Sequence, residues 1–93
     1  MATELKAKVE VYTWDHCPYC KRVIELFDKK GVKYTRYRID GDEIAREKMA
    51  IRAGGKKTVP QVFINDKHIG GCDDTCALDE KGELDKLLFE TAA

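Results

Sequence analysis

Residues 8–31 read K-V-E-V-Y-T-W-D-H-C-P-Y-C-K-R-V-I-E-L-F-D-K-K-G. The first seven, Lys8 to Trp14, alternate and are rich in β-branched and aromatic side chains, so they predict a strand. From Pro18 the period changes. Val23, Ile24 and Phe27 recur at helical spacing, and Leu26 widens the apolar face. Pro18 suits the first turn of a helix, where its missing N–H costs nothing. Gly31 is a natural stop after Lys29 and Lys30. Cys17 and Cys20 therefore fall where a strand gives way to a helix.

The rest of the chain extends this β-α start. Lys33 to Ile39 predicts a second strand. Asp42 to Ala53 predicts a second helix, with Ile44, Ala45, Met49 and either Ile51 or Ala53 on its apolar side, ended by Gly54-Gly55. Val59 to Ile64 predicts a third strand. Asn65-Asp66-Lys67 predicts a hairpin turn into a short fourth strand, His68 to Gly70. Gly70-Gly71 breaks the chain, and Asp74 to Glu80 predicts a turn or two of helix. Glu83 to Thr91 predicts a closing helix through Leu84, Leu87 and Leu88. The order β-α-β-α-β-β-α is α/β in class. A right-handed crossover makes the first two strands parallel, and the hairpin makes the last two antiparallel. One mixed four-stranded sheet with helices on both faces buries all these apolar sides, as a single domain over residues 1–93.

Totals exclude several classes. Acidic and basic residues number 17 each, so no basic excess marks a nucleic-acid binder. No apolar run reaches membrane-spanning length. The first residues, M-A-T-E-L-K-A-K, lack the apolar region of a secretory signal, so a reducing cytoplasmic setting is the expectation. In such a compartment C-x-x-C serves metal binding or catalysis more often than a permanent bridge.

The strand–helix junction weighs toward catalysis. Free N–H groups and the dipole of a helix start favour negative charge, which stabilises a thiolate there and speeds its departure from a disulfide. Lys21 and Arg22 add positive field one turn on. A structural zinc site remains an alternative, since Cys17-x2-Cys20 and Cys72-x3-Cys76 together offer four thiolates.

With C-P-Y-C at this junction, Thr58-Val59-Pro60 further on, and Gly70-Gly71-Cys72-Asp73-Asp74 before the closing helix, the chain resembles a dithiol glutaredoxin over nearly its whole length. The resemblance implies a thioredoxin-like fold, glutathione as cosubstrate and no tightly bound cofactor or metal. It implies Cys17 as nucleophile toward glutathione–protein mixed disulfides and Cys20 as the resolving thiol for protein disulfides. Glutathione reductase and NADPH stand behind the reaction indirectly. The implied state is a monomer, with glutathionylated or disulfide-containing proteins as partners and no nucleic acid or membrane.

The same resemblance implies the binding residues. Val59-Pro60 matches a cis-proline turn whose Val59 backbone pairs with extended glutathione, next to Thr58. Past Gly71, the N–H groups of Cys72 and Asp73 face the γ-glutamyl carboxylate, and Asp73 or Asp74 meets its ammonium group. Two plain helix N-caps are the alternative for these aspartates. Tyr19 flanks the ligand or is an exposed turn aromatic. Arg46 is the candidate for the glycine carboxylate, with a solvated helix-face arginine as the alternative and Lys57 as a competitor.

Three features depart from the pattern or stand outside it. Trp14 occupies a position where many glutaredoxins carry a lysine, and it is expected as an apolar wall. Cys76 is unusual beside Cys72, and both are expected as small buried residues rather than sites of regulatory oxidation. His16 and His68 are expected at the surface. The competing function from another class is a dimer holding a [2Fe–2S] cluster through Cys17 and glutathione, against which Pro18 argues.

Overall fold

Strand β1 (Val9–Thr13) organises the molecule, because it is hydrogen-bonded on both edges. It runs parallel to β2 (Thr35–Arg38), with Glu10 opposite Thr35 and Thr13 opposite Arg38. On its other edge it runs antiparallel to β3 (Gln61–Ile64), with Val9 opposite Ile64. β3 continues antiparallel into β4 (Lys67–Gly70), giving the order β2-β1-β3-β4. Between the strands lie helices α1 (Pro18–Lys29) and α2 (Glu43–Arg52). After them come α3 (Cys72–Glu80) and α4 (Glu83–Phe89). These elements come from a computed structural model, which describes residues 7–89. The N-terminal residues 1–6 and the last two residues of the expected closing helix, 90 and 91, lie outside the described residues.

Alternation in β1 sorts the two faces. Val9 and Val11 join Val62 and Ile64 on one side, covered by Val23 and Phe27 of α1, Cys72 of α3, and Leu84 and Leu88 of α4. Burying a side chain such as Phe27 stabilises the fold by about 2–3 kcal/mol. Glu10 and Tyr12 point to the other side. There Arg52 of α2 lies 4.1 Å from the Phe63 ring centroid and bonds Glu10 at 3.0 Å. The mixed four-stranded sheet with helices on both faces is thus the expected one.

Local differences have local causes. Helix α3 starts at Cys72, two residues before the expected Asp74, and runs nine residues as a full element. Gly71 is its N-cap, the carbonyl of Gly71 accepts from Thr75 N and Oγ1 at 3.0 and 2.8 Å, and Asp73 and Asp74 suit the helix dipole. In α2 the buried face is Met49, Ala50 and Ala53, whereas Ile44 and Ile51 are 69% and 81% exposed. At about 100° per residue, both isoleucines lie about 200° round the helix from Met49. The hairpin loop is only Asn65-Asp66, both with positive φ (53° and 66°), as a type I′ turn requires. Lys67 consequently belongs to β4, and β3 starts at Gln61 rather than Val59.

Candidate active site

Cys17 is the N-cap of α1, in extended backbone (φ −126°, ψ 108°). Its sulfur accepts the Cys20 N–H at 3.2 Å, and its carbonyl accepts from Lys21 N at 3.0 Å. The loop that carries it is tied down next door. Asp15 N–H donates to both carboxylate oxygens of Asp40, at 3.0 and 2.8 Å. Pro18 at the first helical position keeps the junction sharp. The outcome is an asymmetric pair of free thiols: Cys17 is half-buried, while Cys20 is 1% exposed. Burial is the main cause that pushes the Cys20 thiol up to about 12. Contact with Cys17 acts the same way, and a hydrogen bond from the Trp14 backbone acts against it. Cys17 is thus open to solvent where Cys20 is not.

Across from Cys17 stands the turn before β3. The Cys17 thiol donates to the Val59 carbonyl at 3.9 Å, a contact that joins residues 42 apart in the chain. The Val59–Pro60 peptide bond is cis. This turn forms one wall of an open cleft of about 210 Å³, lined by Tyr19, Lys56, Thr58, Val59, Pro60, Gln61, Gly71, Cys72, Asp73 and Asp74. Thus the cleft gathers Tyr19, Thr58, Val59, Pro60, Gly71, Cys72, Asp73 and Asp74, all named from the sequence, from three separate parts of the chain. Chemically it offers the N–H groups of the α3 start and the Lys56 ammonium to anions, and two carboxylates to a cation.

Neither aspartate is the N-cap. Asp74 is the third residue of the helix and accepts the Gly71 N–H at 3.4 Å, and Asp73 is exposed beside it.

Arg46 is not among the lining residues. Its Nε donates to the Lys57 carbonyl at 3.1 Å, and its guanidinium lies 5.5 Å from the Trp14 ring centroid. Trp14 therefore packs beneath Arg46 instead of walling the cleft, and its buried Nε1–H has no hydrogen-bond partner among the described residues. Of the two adjacent lysines, Lys56 reaches the cleft and Lys57 does not line it.

Two side chains near the site, Gln61 in the cleft lining and Arg36 in a depression beside Cys17, went unnoticed in the sequence. Gln61, 1% exposed, donates from Nε2 to the Thr58 carbonyl at 3.0 Å and to Thr58 Oγ1 at 3.2 Å. Its Oε1 accepts from His68 Nε2 at 2.6 Å. Instead of standing free at the surface, His68 is half-buried against Phe63, and burial lowers its pKa. This chain of bonds braces the Thr58 loop. The other is Arg36, whose Nε donates to buried Thr13 Oγ1 at 2.8 Å. Its charge partly offsets the rise in the Cys20 pKa. Only a polar residue inside an otherwise apolar strand hinted at Gln61, and nothing in the pattern hinted at Arg36.

Cys72 and Cys76 face each other on α3, with sulfurs 3.9 Å apart. Cys72 is buried, as expected, but Cys76 is partly exposed. The four-thiolate zinc alternative does not assemble. Among the described residues, no three metal-ligating side chains gather in one place.

Gly70 holds the turn into α3. Its φ of 123° is strained for any L side chain, and a Cβ there would run into the Asp74 carboxylate. A Cβ on Gly71 would come within 3.3 Å of the Pro60 carbonyl. Gly70→Ala is expected to cost about 2 kcal/mol or more. Denaturant titration reads this directly, and an unchanged midpoint would contradict the geometry.

A family model described as glutaredoxin matches residues 9–69. Among curated proteins, the chain is 57% identical over 84 residues to a probable glutaredoxin of Synechocystis sp., covering 90% of this chain and 96% of that one. It is 52% identical over 82 residues to glutaredoxin 3 of Escherichia coli K12, covering 88% of this chain and 98% of that one. The crystal structure of a buckwheat glutaredoxin–glutathione complex superposes with a TM-score of 0.83 at 34% identity, over 90% of this chain and 78% of that one. The fold that β1 organises is therefore thioredoxin-like. By sequence and by architecture alike, the chain belongs to the glutaredoxin family.

Proposed function

We propose that this protein is a glutathione-dependent thiol–disulfide oxidoreductase that reduces protein–glutathione mixed disulfides through Cys17, and protein disulfides through Cys17 with Cys20. The observation that carries the reading is the position of the Cys17 sulfur. It is half-exposed, receives the Cys20 N–H at 3.2 Å, and stands beside Val59 at the edge of the cleft. The buckwheat neighbour, solved as a complex with glutathione, supports glutathione as the occupant.

In the first step the Cys17 thiolate attacks the glutathione sulfur of the mixed disulfide. A Cys17–glutathione bond forms, the substrate's S–S bond breaks, and the protein thiolate leaves and takes a proton from solvent. A second glutathione thiolate then attacks the bound glutathione sulfur. Glutathione disulfide leaves, and Cys17 departs as a thiolate steadied by the Cys20 N–H and the helix start. With a protein disulfide, Cys17 forms a mixed disulfide with the substrate. Cys20 loses its proton and attacks the Cys17 sulfur, releasing the substrate thiol and leaving a Cys17–Cys20 disulfide for glutathione to reduce.

Glutathione in the cleft would pair its backbone with Val59. Its γ-glutamyl carboxylate would meet the N–H groups of Cys72 and Asp73, and its ammonium would meet Asp73 or Asp74. Tyr19, 56% exposed, would cover its apolar side next to Thr58, Pro60 and Gly71. For the glycine carboxylate, Lys56 already lines the cleft, and Arg46 would have to give up its bond to Lys57 to reach it. No tightly bound cofactor is required. Glutathione reductase and NADPH would regenerate the cosubstrate in a cytoplasmic setting, with the protein acting as a monomer. No helix of the described residues is long and apolar enough to cross a membrane.

The test is a glutathionylated peptide incubated with the protein, glutathione, glutathione reductase and NADPH. Peptide release with NADPH consumption well above the protein-free rate is expected from a colourless protein. Release no faster than without protein would defeat the assignment. Brown protein with visible charge-transfer bands would move it to the cluster-binding alternative.

A further inference from the structure

The reaction above leaves one pair of thiols unused. Cys72 is the first residue of α3, and Cys76 follows one turn later with its sulfur 3.9 Å away. Cys72 lines the cleft, whereas Cys76 opens to a separate surface depression beside Arg22, Glu25, Leu26 and Lys29. Arg22 and Lys29 at that mouth attract an anionic disulfide, with Glu25 the one carboxylate among them. The pair thus has one sulfur reachable from solvent and one bordering the active site.

We propose that Cys72 and Cys76 form a second redox-active dithiol, which closes to an intrahelical disulfide under a low-molecular-weight disulfide and thereby weakens the glutathione cleft. The Cys76 thiolate attacks one sulfur of glutathione disulfide, and a Cys76–glutathione bond forms as one glutathione leaves. Cys72 gives its proton to solvent and attacks the Cys76 sulfur, and the second glutathione leaves. Two protein thiols lose two electrons and two protons, and one glutathione disulfide becomes two glutathione thiols. Burial and the neighbouring sulfur hold the Cys72 thiol up to about 11, so Cys76 reacts first.

Geometry links the bond to the cleft. Residues four apart in a regular helix have Cβ atoms about 5–6 Å apart. A disulfide needs about 3.8 Å. Closure must therefore deform the first turn of α3. Gly71 caps that turn without a side chain, and the Asp74 carboxylate reaches Gly71 N–H at 3.4 Å, so the turn is held mainly by Thr75 bonding to the Gly71 carbonyl. The residues that move, Cys72 to Asp74, are cleft wall. This second half of the proposal rests on glutathione being the occupant of the cleft.

The test uses the full chain carrying Cys17→Ser and Cys20→Ser, so that only the second pair can react. After treatment with glutathione disulfide, intact mass should fall by two hydrogens, and peptide mapping should join Cys72 to Cys76. Unchanged mass, or a glutathione adduct that persists, would overturn the bond. Calorimetry with S-methylglutathione, which has no thiol to reduce the bond, should then show affinity about tenfold weaker for the oxidised form. Equal affinity would overturn the coupling. Binding to neither form would defeat glutathione as occupant, and the coupling with it, while the mass result still decides the bond. Adding Cys76→Ser should abolish both the mass change and the affinity change, and persistence of either would reject this pair as their source.

Discussion

Cys17→Ser is expected to lower the rate of glutathione mixed-disulfide reduction by about 10³-fold or more, the scale of losing a nucleophile, while Cys20→Ser keeps most of it. The two thiols differ in everything this reaction uses. Cys17 is half-exposed at a helix start, and its sulfur already accepts a backbone N–H. Serine in its place offers no leaving group that departs from a sulfur bond. Cys20 is 1% exposed and held protonated by burial, so an incoming mixed disulfide does not meet it. Its backbone N–H survives the change to serine, so Cys17 keeps that hydrogen bond. Reduction of a protein disulfide should behave differently, because there Cys20 must displace the substrate. Initial rates with a glutathionylated peptide and with a disulfide-bonded protein, for both variants, separate these roles. Equal loss from both changes in the mixed-disulfide assay would contradict the division of labour.

Arg52→Met should destabilise the fold by about 3–5 kcal/mol at neutral pH, the cost of leaving a buried charge without its partner. That is a large share of a typical total of about 5–15 kcal/mol. Glu10 is 4% exposed in the middle of β1. Its carboxylate is bonded by Arg52 at 3.0 and 3.2 Å and by Tyr37 Oη–H at 2.8 Å. The Arg52 bond is the largest cause that lowers the Glu10 pKa below its ordinary value, and burial opposes it. Methionine preserves length and apolar contact with Phe63 but leaves burial unopposed by that charge.

The pH dependence then changes. In the native chain the Glu10 contribution is fully present above the ordinary carboxylate value of 4.5 and is lost as pH falls through the lower folded value. In the variant only the Tyr37 hydrogen bond and the Lys8 charge oppose burial, so the folded pKa rises from its native value and less of that contribution remains at neutral pH. The deficit relative to the native chain should therefore shrink from pH 7 to pH 4. Adding Glu10→Gln to the variant should recover much of it. Urea titrations at both pH values check this, and an equal deficit at both would show that Glu10 is not the source.

The predicted sheet and its helices were legible because their signals are short-range. Alternation in V-E-V-Y-T, the change of period at Pro18 and the Asn65-Asp66 turn each depend on neighbours a few residues away. The same locality explains the misses. On α2 the expected Met49 is buried, and of Ile51 and Ala53 it is Ala53, yet Ile44 is exposed and Ala50 is buried instead. Which side of a helix is buried depends on the surface it meets, and that surface comes from strands far along the chain. Arg46 was named from the family resemblance, but Trp14 and the Lys57 carbonyl hold it aside from the cleft. Glu10 read as the polar half of an alternating strand, and only α2 lying across the second face makes it a buried ion pair.

By itself the sequence determined where the two cysteines stand: three apart at a strand–helix junction, with a proline to make the junction sharp. Local backbone preference is enough for that. Tertiary structure alone decided that the Val59 carbonyl stands 3.9 Å from the Cys17 sulfur, that Lys56 reaches the cleft, and that Cys72 and Cys76 differ in exposure. These are matters of burial and distance between segments tens of residues apart, and packing fixes them only when the sheet and all its helices close together.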